Sequence, residues 1–254
     1  MSQVIFRASS IHRLMGSAKS IDESLITPEA EAIKKKTAAK RTSEEQALLN
    51  SLLEQTLSAG AKTLVKEMVR KLKHKAPTNF TGSKQTEKGH AVEESAILFL
   101  MQQEFISAEK NEIRFTNDWV TGEPDIIAND CVYDTKCPYT YWNMPYFEDD
   151  IKDKSIDAGY DWQQLVYLWL LRENDSYEPK IIDKAKLKYI LMPTPKEQIG
   201  RYDDSFLHHD FVLEMNPKDR ISTFQIDWDE SKIELIKTKI TAARKYAETL
   251  RLQP

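Results

Sequence analysis

Two cysteines, Cys131 and Cys137, are all that 254 residues contain. Two thiols cannot build a four-thiolate iron–sulfur cluster or a Cys-rich zinc module. Six positions of one strand, at about 3.3 Å each, would also hold them roughly 20 Å apart, so no disulfide is expected and both read as ordinary buried thiols. Glycine is nearly as scarce: Gly16, Gly60, Gly82, Gly89, Gly122, Gly159 and Gly200. No two are spaced for a GxGxxG or Walker A phosphate loop, and simple nucleotide-binding folds lose their main support. Long apolar runs are missing too. The longest, at 165–171 and 96–101, fall far short of the about 20 residues that span a bilayer. The opening MSQVIFRASSIHRLMG has neither an extended apolar core nor a small-residue cleavage site, which argues against a secretory signal and predicts a cytoplasmic protein with no membrane partner.

What is present suits a soluble α/β chain with a substantial core: 41% of residues are apolar and 30% charged. The net charge of −4 hides an asymmetry. Residues 1–90 hold 16 Lys+Arg against 9 Asp+Glu, while the remainder holds 20 against 31, so +7 is followed by −11. A basic first third before an acidic body fits a nucleic-acid-facing appendage on a carboxylate-rich core, or simply a solvated helical surface.

Punctuation along the chain predicts the elements. Thr27-Pro28-Glu29 is a helix start, and Thr42 with Glu45 makes a capping box ahead of Leu48, Leu49, Leu52, Leu53 and Leu57, with Gly60 as the expected stop. From Ala61 to about Lys75, Leu64, Val65, Met68, Val69 and Leu72 form one face, and Lys62, Lys66, Arg70 and Lys73 form a basic stripe on another, able to follow a phosphate backbone. Ala76-Pro77-Thr78 and Thr81-Gly82-Ser83 read as a linker, giving an N-terminal basic helical region 1–85 and a core 86–254. In that core a buried helix is predicted from Lys88 to about Glu109. Strands follow at 112–119, 123–128 and 131–136, with a tight turn at Asn129-Asp130. A second helix at 159–172 and a strand at 186–192 complete an αβββαβ order. Further strands are expected at 211–215 and 223–228, and a closing helix at 229–250.

The chemistry concentrates in Pro124-Asp125, eight intervening residues, and Asp134-Thr135-Lys136. Strand alternation puts Asp134 and Lys136 on one face, and a reversal at 129–130 returns Asp134 beside Asp125. Two carboxylates that meet repel unless a cation lies between them, and hard oxygen donors suit Mg²⁺, with Mn²⁺ able to substitute. The main-chain carbonyl of Thr135 can point into the same site while its side chain faces away from Asp134. Lys136 is then placed to orient a water or to stabilise charge on a pentavalent phosphate. That is equipment for phosphodiester hydrolysis. Helical spacing also sets Gln163 and Tyr167 on one face, either to bind a phosphate or a water or as satisfied core groups. Tyr139, Tyr141, Trp142, Tyr146 and Phe147 follow the catalytic strand and either stack unpaired bases or close a small core.

These residues resemble a known family. Pro124-Asp125 with Asp134-Thr135-Lys136 matches the defining motif of PD-(D/E)XK nucleases, and Lys136-Cys137-Pro138 is similar to the close of that motif in lambda-exonuclease-like recombination exonucleases of phages and prophages. Gly89 followed by Glu93 and Ala96 looks like that branch's first motif. Gln163 with Tyr167 resembles a Gln-x-x-x-Tyr helix shared with bacterial recombination nucleases. The resemblance covers roughly residues 86–195. It implies a restriction-endonuclease-like core with a central mixed sheet flanked by helices. It also implies Glu93 as a further metal ligand, which the glycine spacing selects over Glu94, and catalytic roles for Glu93, Asp125, Asp134, Lys136, Gln163 and Tyr167. Arg7 with Ser9 and Ser10 is similar, at a different spacing, to the group that holds a terminal 5′-phosphate in such enzymes.

The expected activity is that of a Mg²⁺-dependent deoxyribonuclease, a double-strand exonuclease in a bacterial host cell. DNA would be held by Lys62, Lys66, Arg70, Lys73, Tyr141 and Trp142. The resemblance further implies a single-strand annealing partner and a homo-oligomer. The alternatives are an endonuclease or branched-DNA nuclease, and a catalytically weak DNA-binding or assembly protein that keeps the fold.

Overall fold

The computed structural model describes residues 4–76, 82–128, 131–174 and 182–250. The expected turn at Asn129-Asp130 and residues 77–81 of the expected linker lie outside the described residues. The chain divides into two compact units, Met1–Thr78 with Asp229–Pro254, and Asn79–Trp228. Among the described residues no helix is long and apolar enough to cross a membrane.

The first unit opens with strand β1 (Phe6–Arg7) and helices α1 (His12–Met15), α2 (Pro28–Lys34), α3 (Ser43–Glu54) and α4 (Ala59–His74). Their starts follow from local hydrogen bonding. Thr27 Oγ1 accepts from Ala30 N at 3.1 Å ahead of Pro28, and Thr42 and Glu45 form the reciprocal capping box. Gly60 does not end α3. That helix stops at Glu54, and Ser58 Oγ starts the next by accepting from Ala61 N at 3.2 Å, so Gly60 lies inside α4.

The second unit begins with α5 (Lys84–Glu104), capped by Ser83 Oγ, which accepts from Thr86 N at 3.3 Å. It ends five residues before the expected stop, at Phe105, whose φ of 54° is left-handed. The expected strand at 112–119 is instead a short antiparallel hairpin of β2 (Phe115–Thr116) and β3 (Val120–Gly122). Its turn forms because Asn117 Oδ1 accepts from both Trp119 N and Val120 N at 2.9 Å.

Then come β4 (Ile126–Ala128), β5 (Cys131–Lys136), α6 (Glu148–Asp157), α7 (Tyr160–Arg172), β6 (Lys184–Ile190), α8 (Phe211–Glu214) and β7 (Ile221–Asp227). The segment 211–215, expected as a strand, is helical. Asp204 Oδ1 accepts from Phe206 N at 3.0 Å and Leu207 N at 3.3 Å, starting a π-helical turn that runs into α8.

The four strands β4-β5-β6-β7 form one mixed sheet, antiparallel at β4/β5, parallel at β5/β6 and antiparallel at β6/β7. Val92, Ala96, Ile97 and Leu100 of α5 pack on Ile126, Tyr133 and Ile190. Leu187, Tyr189 and Leu191 join a separate cluster with Met144 and Val212. The mixed sheet flanked by helices is the fold class expected. Leu98, in the helix expected to be buried, is exposed. Cys131 is buried as expected, but Cys137 is partly exposed, and neither forms a disulfide.

The last helix, α9 (Glu230–Thr249), is capped by Asp229, whose Oδ1 accepts from Lys232 N at 3.2 Å. It groups with the N-terminal helices and not with the core in which the division at 85/86 had placed it. Buried Lys239 donates to Thr56 O at 2.8 Å, and Arg244 donates to Val4 O from Nε and Nη2 at 3.2 and 3.1 Å.

Phe105 offers a direct test of the α5 stop. The residue is 94% exposed, so the left-handed backbone strain is not offset by burial. Phe105→Gly should raise stability by about 0.5–1 kcal/mol in urea unfolding; a loss of stability would show that the ring supports the helix end.

Candidate active site

β4 and β5 place the two aspartates. Their register pairs Ile126 with Tyr133, so one step further along, Asp125 stands opposite Asp134. Asp125 Oδ2 accepts from both Thr135 N and Thr135 Oγ1, each at 2.7 Å. The Thr135 side chain therefore faces Asp125, and its carbonyl faces Lys136, whose Nζ donates to it at 3.2 Å. Asp134 is only 2% exposed. Its Oδ2 accepts a short hydrogen bond from Lys136 Nζ, and its Oδ1 one from the Tyr167 hydroxyl at 3.5 Å.

The electrostatics follow from this crowding. Burial, then the charge of Asp134, push the Asp125 carboxyl up to about 6, against the pull of Lys136 and of the Thr135 hydrogen bonds. For Lys136, burial disfavours the charge, but Asp134 and then Asp125 outweigh it and hold the ammonium well above the ordinary lysine range. Its side chain is 28% exposed, and its Nζ lies 5.1 Å from the centre of the Tyr160 ring.

Gln163 and Tyr167 lie behind the aspartates. Both are buried, and Gln163 Nε2 donates to the Tyr167 hydroxyl at 2.7 Å. Burial, then the charge of Asp134, raise the Tyr167 hydroxyl far above its usual value, so it stays protonated and can donate to Asp134. The pair is a buffer of hydrogen bonds beneath one carboxylate.

Glu93 lines a cleft of about 600 Å³ together with Gly89, His90, Thr135, Lys136 and Tyr160 among others. Glu94 is exposed, and Glu93 is the better placed of the two. Glu93 is not gathered with the aspartates, however. Its Oε1 accepts from Lys110 Nζ at 2.9 Å, and His90 Nδ1 lies 4.0 Å from its Oε2. Among the described residues no three His, Cys, Asp or Glu side chains come together as a metal-holding group. The donor chemistry still fits a small hard dication: two opposed carboxylates, one pushed up by burial and then by the other's charge, beside a main-chain carbonyl.

Two residues of the site escaped the sequence reading. Lys88 on α5 is buried, and its Nζ donates to Pro138 O and Tyr139 O, each at 2.9 Å, fixing the chain just after Lys136; burial lowers it to about 8. It continues the Val92 and Ala96 row, so a lysine on an apolar face was the available signal. Lys110 gives no such signal, because it lies in a short polar stretch.

The aromatic segment divides. Tyr141 packs edge-on against Phe211 at 5.3 Å and near Tyr146, closing a core, whereas Trp142 is 77% exposed and Phe147 is exposed too. Along α4, Lys66, Arg70 and Lys73 are exposed, while Lys62 pairs with Asp22 at 3.1 Å and lies over the Tyr246 ring. Arg7 is exposed, and Ser10 Oγ donates to its carbonyl at 3.1 Å.

Comparison with solved structures bears on what such a site belongs to. A phage-related exonuclease from Haemophilus somnus 129PT superposes with a TM-score of 0.75 at 29% identity, covering 97% of this chain and 94% of that one. The chain has the fold of a phage-related exonuclease. An alkaline exonuclease from Laribacter hongkongensis shares the fold more distantly, with a TM-score of 0.52 and 12% identity over 96% of this chain and 88% of that one. The likeness agrees with the lambda-exonuclease-like PD-(D/E)XK resemblance carried by the motifs and supports a nuclease. No protein-family model and no curated protein matches the chain.

The raised Asp125 makes stability depend on pH. Between about pH 4 and 6 the folded state binds more protons than the unfolded one, so stability falls as pH rises through this window and stays reduced above it. Without divalent ions, Asp125→Asn should therefore be the more stable form by about 3 kcal/mol near pH 8, with the difference fading toward pH 4. Urea midpoints at both pH values check this; equal stability at pH 8 would contradict the burial of a charged Asp125.

Proposed function

We propose that the chain is a divalent-metal-dependent deoxyribonuclease acting as a double-strand exonuclease, with a role in phage-type recombination. The observation that carries this reading is the opposed pair Asp125 and Asp134 with Lys136 beside them, set in the fold of a phage-related exonuclease. Asp125, Asp134, the Thr135 carbonyl and Glu93 would hold Mg²⁺ or Mn²⁺. When bound, that ion would supply Lewis-acid polarisation of a phosphate oxygen and a more acidic water.

The chain's own groups do the rest. Asp134 is kept in one orientation by Tyr167, itself held by Gln163. Lys136 carries a positive charge that the buried carboxylates keep in place, available to the charge that builds on a phosphate during displacement. The exposed Trp142 offers a face for an unpaired base, and Lys66, Arg70 and Lys73 offer phosphate contacts. A single-strand annealing partner and a homo-oligomer belong to this proposal.

Digestion of linear and covalently closed circular duplexes, with Mg²⁺ and with chelator, tests the activity. Linear DNA should be degraded only with Mg²⁺, closed circles should survive, and Asp134→Ala should fold but cleave nothing. Nicked circles would favour the endonuclease reading; binding without cleavage would favour an assembly protein. In the same assay Lys136→Ala should lower kcat by about 100-fold or more with KM changed less than about twofold. A rise in KM alone would make Lys136 a phosphate clamp.

The basic stripe has its own readout. Replacing Lys66 and Arg70 together by alanine should weaken binding of different DNA sequences equally and flatten the salt slope by about two. Unchanged affinity and slope would leave the stripe as a solvated face.

A further inference from the structure

Glu93 and Asp134 are both occupied by lysines, but in different ways. Asp134 is buried, and its bond to Lys136 lies within a packed network. The Lys110–Glu93 pair is half-exposed, with side chains 40% and 38% accessible. An ion pair so open to water is held weakly and can be exchanged. Its geometry is nonetheless fixed from behind. Lys110 bridges Ile126 on the edge of β4, the next residue donates from Asn111 N to Asp125 O at 2.8 Å, and Asn111 Nδ2 donates to Pro124 O at 2.8 Å. The backbone that delivers the ammonium is thus pinned to the segment that carries Asp125, while Glu93 comes from a different element, α5.

From this arrangement we infer that Lys110 is a positioning residue that competes with the divalent ion for Glu93 and so sets the metal concentration at which the site fills. The inference rests on the nuclease reading. Lys110 occupies Glu93 Oε1 with a single charge, and a dication held by Asp125 and Asp134 draws the same carboxylate with two. The main chain next to Lys110 is bonded to Asp125 O through Asn111 N while its ammonium bonds Glu93, so the same short segment touches two of the residues that the ion would need. Glu93 would change partner when the ion binds, giving up its exposed bond to Lys110.

The test is a double-mutant cycle on Mn²⁺ affinity, read by titration calorimetry on the intact protein without DNA. The four proteins are wild type, Lys110→Gln, Glu93→Gln and the double variant, with thermal melts confirming that each is folded. Lys110→Gln should bind Mn²⁺ about tenfold more tightly than wild type, but change affinity less than about twofold when Glu93 is already Gln. Lys110→Arg, which preserves the pair, should stay within about twofold of wild type. Unchanged or weaker binding by Lys110→Gln overturns the inference. So does an equal gain in both backgrounds, because a lost positive charge would then act through its field and not through Glu93. A wild-type protein that binds no Mn²⁺ at all would instead overturn the nuclease reading on which the inference stands.

Discussion

Two carboxylates facing each other across adjacent antiparallel strands impose the constraint on which the rest of the site depends. Asp125 and Asp134 are brought together by the register that pairs Ile126 with Tyr133, and their mutual repulsion has to be met by something. In the chain itself it is met by hydrogen bonds and ammonium groups. Thr135 donates twice to one aspartate, and Lys136 and Tyr167 donate to the other. A site so constructed favours positive charge beside the aspartates, because each carboxylate raises the cost of ionising the other.

The same constraint explains the shell around the aspartates. Tyr167 cannot serve as a donor unless it stays protonated, and burial next to a carboxylate keeps it so. Gln163 completes the chain one helical turn earlier, which is why these two residues share a face of α7 that is otherwise apolar. Lys88, on the other side of the sheet, ties down the Pro138 and Tyr139 carbonyls, so the strand that carries the chemistry cannot fray where it leaves the sheet.

Much of this was legible in the sequence, because short-range rules control it. The capping box at Thr42, the strand Cys131–Lys136 and the Asp125, Asp134 and Lys136 set all follow from spacing and alternation. The failures have physical causes as well. The stretch 211–215 has an apolar pattern that suits a strand or a helix, and Asp204, seven residues before it, starts the turn that decides for the helix. Asn117 bends what reads as one long strand into a hairpin. The row Ile233, Ile236, Ile240 and Ala243 announces that α9 has a buried face but not which element covers it. Lys110 was invisible because its role depends on a backbone bridge to Ile126, which no local pattern records.

β5 lies inside the sheet, hydrogen-bonded to β4 on one side and β6 on the other, with all six of its residues registered against β6. Glu93 and Lys110 instead stand on a helix and on an isolated bridge at the sheet's edge. The site is therefore built from a slow half and a fast half. Asp134, Thr135 and Lys136 share the lifetime of the central sheet, whose opening approaches global unfolding, whereas the edge rearranges on the much shorter timescale of local fluctuation. A side chain at the edge can therefore change partner while Asp134, Thr135 and Lys136 stay in place.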